Sequence, residues 1–206
     1  MKRKSLLVAL VSLVAVMSTG CVKIIDKGTE AQYTGVVEFS AESNANSLWE
    51  SVVEDITTNA VDLATLLSEA NGDLNSVAEK YGVKQKANFA VKGSGTVTEV
   101  ETSKSAGYMT LKLDGYDGPV EIRVQVGPTF KNKDSLGDAQ TVTSFEDYTN
   151  QTEWGQVKDA LIDNVKTNVV GNVDVDSLNG QTITFIGAFS ASAGNEKIQI
   201  IPISIE

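Results

Sequence analysis

Between Val120 and Val126 apolar and polar residues alternate without a break. Val120, Ile122, Val124 and Val126 fall on one side, and Glu121, Arg123 and Gln125 on the other. Successive side chains of an extended chain point to opposite faces, so the pattern predicts a strand with one buried and one solvated face. Gly127-Pro128 ends it, because Pro cannot donate to a ladder. Tyr108–Asp114 alternates in the same way, with Met109, Leu111 and Leu113 on one face, and Gly115-Tyr116-Asp117-Gly118 reads as the hairpin turn between the two. Upstream, Ala87–Val100 is a long strand interrupted by Gly93 and Gly95, where a small barrel would need a strand to bend.

Helical spacing appears on either side of these strands. Trp49, Val52, Val53, Ile56, Ala60, Leu63 and Leu67 recur at steps of three and four, which predicts one helix from about Asn46. Ser47 is placed to cap it, with Glu50 as a capping-box partner. Asn71-Gly72 stops the helix, and Asp73 caps a shorter one ending at Gly82. Lys131–Gln140 reads as a loop. A second amphipathic helix is expected from about Thr152 to Val170, with Trp154, Val157, Leu161, Val165 and Val169 inward. Two strands follow, Thr182–Ser190 and Lys197–Ile205. Pro202 in the second requires an edge or a bulge.

From Ala87 the order is thus three strands, a helix and two strands. That order predicts an α+β, mainly β fold: an OB-like five-stranded barrel with a helix between its third and fourth strands. The expected organisation is a signal peptide over residues 1–20, a tether over 21–43 with a short strand at Tyr33–Phe39, N-terminal helices over 44–84, and the barrel over 85–206.

The N-terminus supplies an address. Lys2, Arg3 and Lys4 precede an uncharged apolar run from Leu6 to Met17, too short for the ~20 residues of a spanning helix but suited to a secretory signal. Ser18-Thr19-Gly20 then leads to Cys21, the one cysteine in the chain, as in a bacterial lipobox. Ser18 stands where Leu is usual, which would slow processing. The expectation is lipidation of Cys21 and anchoring of the protein to the envelope membrane, facing the periplasm or exterior. Val22 rather than Asp after the cysteine leaves outer-membrane sorting open.

Charge and missing residue types narrow the function classes. The chain has 17 Lys+Arg, 27 Asp+Glu and no histidine; without Lys2, Arg3 and Lys4 the balance is 14 against 27, a net charge of −13. Such a surface opposes nucleic-acid binding, which depends on Lys and Arg displacing counterions. Without histidine or a free thiol, Ser-His-Asp and Cys-His nucleophilic sites and His/Cys zinc sites are excluded. Asp174-Val175-Asp176-Ser177-Leu178-Asn179-Gly180 fails as a calcium loop. Leu178 stands where an oxygen ligand is needed, Asn179 where Gly is needed, and Phe185 where Glu is needed. No cofactor or metal is expected, and no pair of carboxylates is marked out for acid–base work, so the reading is not an enzyme.

Two surfaces are candidates for binding. OB barrels commonly use the face of their second and third strands with the adjoining loops. Here that face carries Tyr108, Lys112, Arg123 and Gln125, between the loops Thr102–Gly107 and Ala191–Glu196. The second candidate is the run Phe145 to Trp154, in which Asp147, Asn150, Gln151 and Trp154 could form a rim for a hydroxyl-rich ligand. The plainer reading of that run makes Asn150 the cap of the helix and Glu153 its third residue.

Several segments together resemble one family. They include Leu48-Trp49-Glu50-Ser51, Phe89-Ala90-Val91-Lys92-Gly93-Ser94-Gly95, Val126-Gly127-Pro128, Phe145 to Gln151, and Gly180 to Phe189. The chain over residues 21–206 resembles the DUF2291 family of predicted periplasmic lipoproteins. The resemblance implies an OB-like barrel, no established activity, and a genomic neighbourhood of sugar ABC-transport genes; it brings no catalytic residues. The expectation is therefore a membrane-anchored, non-enzymatic binding module accessory to sugar ABC transport, with a carbohydrate or an envelope protein as partner. A structural or assembly lipoprotein is the alternative, and a carboxylate-based hydrolase a remote one.

Overall fold

A computed structural model describes residues 39–191 and 196–206. The signal sequence, Cys21, and all of the expected strand at Tyr33–Phe39 except Phe39 lie outside the described residues. Of the loop Ala191–Glu196, its two end residues alone are described.

Helix α1 spans Ala41–Asn59 and buries Ala45, Val52 and Ile56, positions that share one helical face. Its cap is Ser40, whose side chain accepts from Ser43 N at 3.2 Å. The expected cap at Ser47 is therefore corrected. Ser47 lies inside the helix and donates its hydroxyl to Asn44 O. Starting earlier, within the segment assigned to the tether, adds a turn that buries Ala45 completely.

The continuous helix expected through Leu67 is also corrected. Ala60 turns extended (φ −64°, ψ 121°). Val61–Asp62 then forms strand β1, and helix α2 starts anew at Leu63 and runs to Ala70. Asp62 is its cap, accepting from Thr65 N at 2.8 Å and from Thr65 Oγ1 at 2.7 Å. The apolar period crosses the break because each helix has its own core to fill. Val52 and Ile56 of α1 join one cluster, while Leu63, Leu66 and Leu67 of α2 join another. Asp73 caps the short 3-10 turn Leu74–Val77, and helix α3, Ala78–Tyr81, stops at Gly82.

The remaining strands are β2 (Asn88–Glu101), β3 (Tyr108–Leu113), β4 (Glu121–Gln125), β5 (Thr182–Ser190) and β6 (Lys197–Ile205). They close in the order β2-β3-β4-β6-β5 and back to β2, with β1 added beside β2. β4 and β6 run parallel; the other barrel pairings are antiparallel. Closure depends on β2 changing partners along its length. Residues Asn88–Thr96 pair with β5, and Gly95–Glu101 pair with β3. Gly95 belongs to both ladders, and a Cβ there would stand 2.6 Å from Lys112 O, so any side chain would force the strands apart. Pro202 sits at a register shift between β5 and β6, where its missing N–H costs no ladder bond.

Between β4 and β5, the expected loop Lys131–Gln140 contains a short helix, α4, at Asp134–Asp138. Leu136 and Ala139 are fully buried there, and Lys158 reaches Asp134 at 2.6 Å. Tertiary burial thus folds a stretch whose polar composition suggested a loop. Helix α5 spans Gln151–Asn168 and buries Trp154, Val157, Leu161, Ile162 and Val165.

Two apolar clusters result. One fills the barrel with Phe89, Val91, Met109, Val124, Phe185 and Ile200, joined by α2. The other lies between the barrel wall (Ala90, Ala188, Ile201, Ile203) and the pair α1 and α5. Alternate residues of β2 serve both: Phe89 and Val91 inward, Ala90 outward.

Candidate functional site

Tyr108, Arg123 and Gln125 converge. The register sets Tyr108 opposite Gln125 and Thr110 opposite Arg123, so all occupy the outer face of the β3–β4 hairpin, while Met109 and Val124 fill the barrel. On the other side of β4, Arg123 pairs with Gln199 of β6. With Lys104 and Lys131 these side chains line a cleft of about 170 Å³.

Each wall of the cleft has a local cause. Val126 N and Gly127 N both donate to Gly107 O at 3.0 Å, and Thr129 N donates to Ser105 O at 2.9 Å. The loop after β2 is therefore stitched to the chain leaving β4. This close approach needs Gly127, where a Cβ would lie 2.1 Å from Gly107 N. Gln125, nearly buried, donates from Nε2 to Lys131 O at 3.0 Å, and its Oε1 accepts from Lys131 N at 2.6 Å. That two-point clamp uses the Gln125 amide for positioning Lys131 and leaves it little capacity for a ligand.

The electrostatics are set by paired charges at the rim. The Arg123 guanidinium lies over the Tyr108 ring, with Cζ 3.5 Å from the centroid, and its Nε donates to Glu121 Oε1 at 2.5 Å. Glu121 Oε2 also meets Lys197 at 3.3 Å. Burial alone would raise the Glu121 carboxyl, but the hydrogen bonds from Arg123 and Lys197 outweigh it and hold the group below its ordinary value. Glu101 is held at about 2, first by the hydrogen bond from Lys104 and then by those from Ser103. Among the described residues the Lys131 ammonium has no hydrogen-bond or ion-pair partner, and the Arg123 Nη groups donate no hydrogen bond, the guanidinium being ion-paired with Glu121 through Nε. Gln199 Oε1 is buried and also accepts no hydrogen bond.

Lys112, on the same strand face, does not join this group. It is exposed and borders a separate depression by the turn at Tyr116–Gly118.

The second candidate cluster uses its polar atoms internally. Asp147 accepts from Ser144 N at 2.8 Å and from Thr143 Oγ1 at 3.1 Å. Asn150 caps α5, accepting from Glu153 N at 3.0 Å, while Glu153 accepts from Thr149 N. Gln151 is exposed on the first turn of that helix. Trp154 is 8% exposed and stacks on Tyr148 with centroids 5.3 Å apart. Trp154 also borders a depression of about 310 Å³ whose rim carries Phe145, 50% exposed. That depression is larger than the barrel cleft. Yet its buried polar side chains are satisfied: Gln140 donates to Gly137 O and Thr143 O and accepts from Thr143 N. Capacity for a polar ligand therefore favours the barrel cleft.

Lys104 belongs to the loop Thr102–Gly107 expected beside this face, whereas Lys131 and Gln199 are additions that the structure makes. Gln199 carried a signal, since it alternates with Ile198 and Ile200 and must face outward. Lys131 carried none, because its place is set by the Gln125 clamp.

The strand order, the parallel β4–β6 pairing and the helix between the third and fourth barrel strands define the OB-fold class. An OB-fold protein of Thermotoga maritima MSB8 is similar in structure, with a TM-score of 0.62 over 82% of this chain and 99% of that chain; at 17% identity the likeness concerns the fold alone. The chain belongs to the family described as predicted periplasmic lipoprotein (DUF2291), whose model matches residues 11–206. Membership places the protein in the cell envelope, associated with a membrane. No curated protein matches the chain.

Proposed function

We propose that the protein is a non-enzymatic binding module, held at the membrane by lipid on Cys21, that presents the barrel cleft to a small polar ligand in support of sugar uptake. Gln199 Oε1 carries this reading. A buried acceptor without a donor costs stability; Gln199 lines the cleft, and a turn of its side chain would bring the amide oxygen to a ligand hydroxyl there. The neighbouring carboxylates favour binding over chemistry. Glu101 and Glu121 are ion-paired and held below their ordinary values, which makes both poor proton acceptors near neutral pH. Val22 after the anchor cysteine leaves the outer membrane open as the destination.

A panel of envelope sugars and sugar derivatives tested by thermal shift on the full-length protein in neutral detergent checks this reading. A stabilising ligand should lose its effect in Tyr108→Ala. A ligand whose effect survives that change binds elsewhere and overturns the assignment of the cleft. The half-exposed Phe145 favours the second reading, an assembly lipoprotein that docks another envelope protein.

A further inference from the structure

The cleft has a chemical selectivity that follows from its unspent groups. Its lining contains three basic residues, Lys104, Arg123 and Lys131, and no carboxylate. Residues 21–206 hold 14 Lys and Arg in all against 27 acids, so this grouping runs against the charge of the rest of the chain. Two of the three are partly neutralised from the rim, Lys104 by Glu101 and Arg123 through Nε by Glu121. The Lys131 ammonium is left as an unpaired positive charge, and the Arg123 Nη groups as donors with no hydrogen bond made. Gln199 lines the same cleft, and its amide oxygen is buried without a donor, so a ligand reaches it when the side chain turns toward the cleft.

Donors with positive charge call for an anion, and an orphan acceptor calls for a group that carries a proton. An inorganic anion meets the first need alone, and a neutral sugar the second alone. We propose that the cleft takes a small hydroxylated anion: a carboxylate or phosphate monoester with a free hydroxyl, its acid group toward Arg123 and Lys131 and its hydroxyl donating to Gln199 Oε1. The proposal rests on reading the cleft as a ligand site. Size agrees with it, since about 170 Å³ is below the roughly 300–1,000 Å³ typical of drug-sized ligands. The surrounding acidity adds a filter. A polyanion spreads its charge over the negative surface and is repelled, whereas a single acid group meets the local positive potential.

The test is titration calorimetry on the full-length protein in neutral detergent with four probes: glucuronate, glucose 6-phosphate, glucose and inorganic phosphate. Glucuronate or glucose 6-phosphate should bind at least about tenfold more tightly than glucose, the loss expected for one charge-assisted hydrogen bond. Which of the two is tighter identifies the acid group. Arg123→Gln and Lys131→Gln should each weaken the preferred anion about tenfold and glucose by a smaller factor. Gln199→Leu should weaken the hydroxylated anion and not inorganic phosphate. A cooperative melting transition within a few degrees of the wild type would show that the variants remain folded. Glucose binding as tightly as both anions, or anion affinity unmoved in both charge-removing variants, overturns the proposal. If glucose binding is then lost in Gln199→Leu, the cleft still stands as a ligand site. Absence of heat from all four probes overturns both.

Discussion

Arg123 lies across the Tyr108 ring at 3.5 Å although the two are not opposite each other in the ladder; Tyr108 faces Gln125 and Arg123 faces Thr110. The contact is the diagonal one available on a twisted antiparallel pair, within reach of long and aromatic side chains. Together with the Glu121 bond at Nε, it fixes a planar cation on the outer barrel wall while Met109 and Val124 fill the interior. One alternation of in and out therefore builds both the core and the cleft.

That alternation can be tested directly. Val124 is fully buried between Met109 and Ile200, so Val124→Asp places an unpaired charge in the barrel, at a cost of roughly 4 kcal/mol or more, and should prevent stable folding. Arg123→Ala removes a partly exposed ion pair and a ring contact, and should cost about 1 kcal/mol. Denaturant unfolding of the two variants should separate them widely; equal stability would contradict the register.

Gln199→Leu separates a binding role from a structural one. Because Gln199 Oε1 makes no hydrogen bond, replacing the amide with an apolar side chain should leave ligand-free stability unchanged or raise it by up to about 1 kcal/mol. A loss of more than about 1 kcal/mol on chemical unfolding would mean that the amide supports the fold.

The pH response follows from the same ion pairs. Glu101 and Glu121 have folded values below the ordinary 4.5, so each contributes stability that is present above that value and lost as pH falls through the folded one. For Glu101 the window runs from about 4.5 down to about 2. The chain has no histidine, so no side chain with an ordinary value near 6.5 titrates between pH 5.5 and 8. Affinity for a carboxylate ligand should accordingly stay flat across that range, and affinity for a phosphate monoester should change near its second pKa of about 6. A step near pH 6 for a carboxylate ligand would contradict this account of the cleft charges.

The fold was legible where burial is one-sided. β3, β4 and α5 each pack one face, and their periods are visible in residues such as Leu111, Val124 and Leu161. The change from α1 to α2 was hidden because Ile56 and Leu63 serve different clusters while keeping helical spacing. Helix α4 was hidden because Asp134, Ser135 and Asp138 look like loop residues until Leu136 is seen in the core. The placement of Tyr108 and Arg123 on one outer face of β3 and β4 followed from strand alternation. Lys131 could not follow from local pattern, since a side-chain clamp across a turn leaves no period in sequence.

Membrane attachment has its own test. With Cys21 as the lipid acceptor, Cys21→Ser should move the protein from the membrane fraction to the soluble fraction or leave the signal uncleaved. Mass spectrometry of the wild-type protein should show a diacylated N-terminal cysteine; an unmodified mature N-terminus at another residue would contradict the lipid anchor.

The central claim is that the cleft between β3, β4 and β6 is the working surface. Amide chemical-shift mapping of the full-length protein in detergent micelles, titrated with the tightest probe and then with envelope extract, addresses it most directly. The account predicts shifts concentrated at Tyr108, Arg123, Lys131 and Gln199. Shifts confined to α1 around Trp49, or to the surface around Phe145, would contradict it and support the protein-docking reading instead.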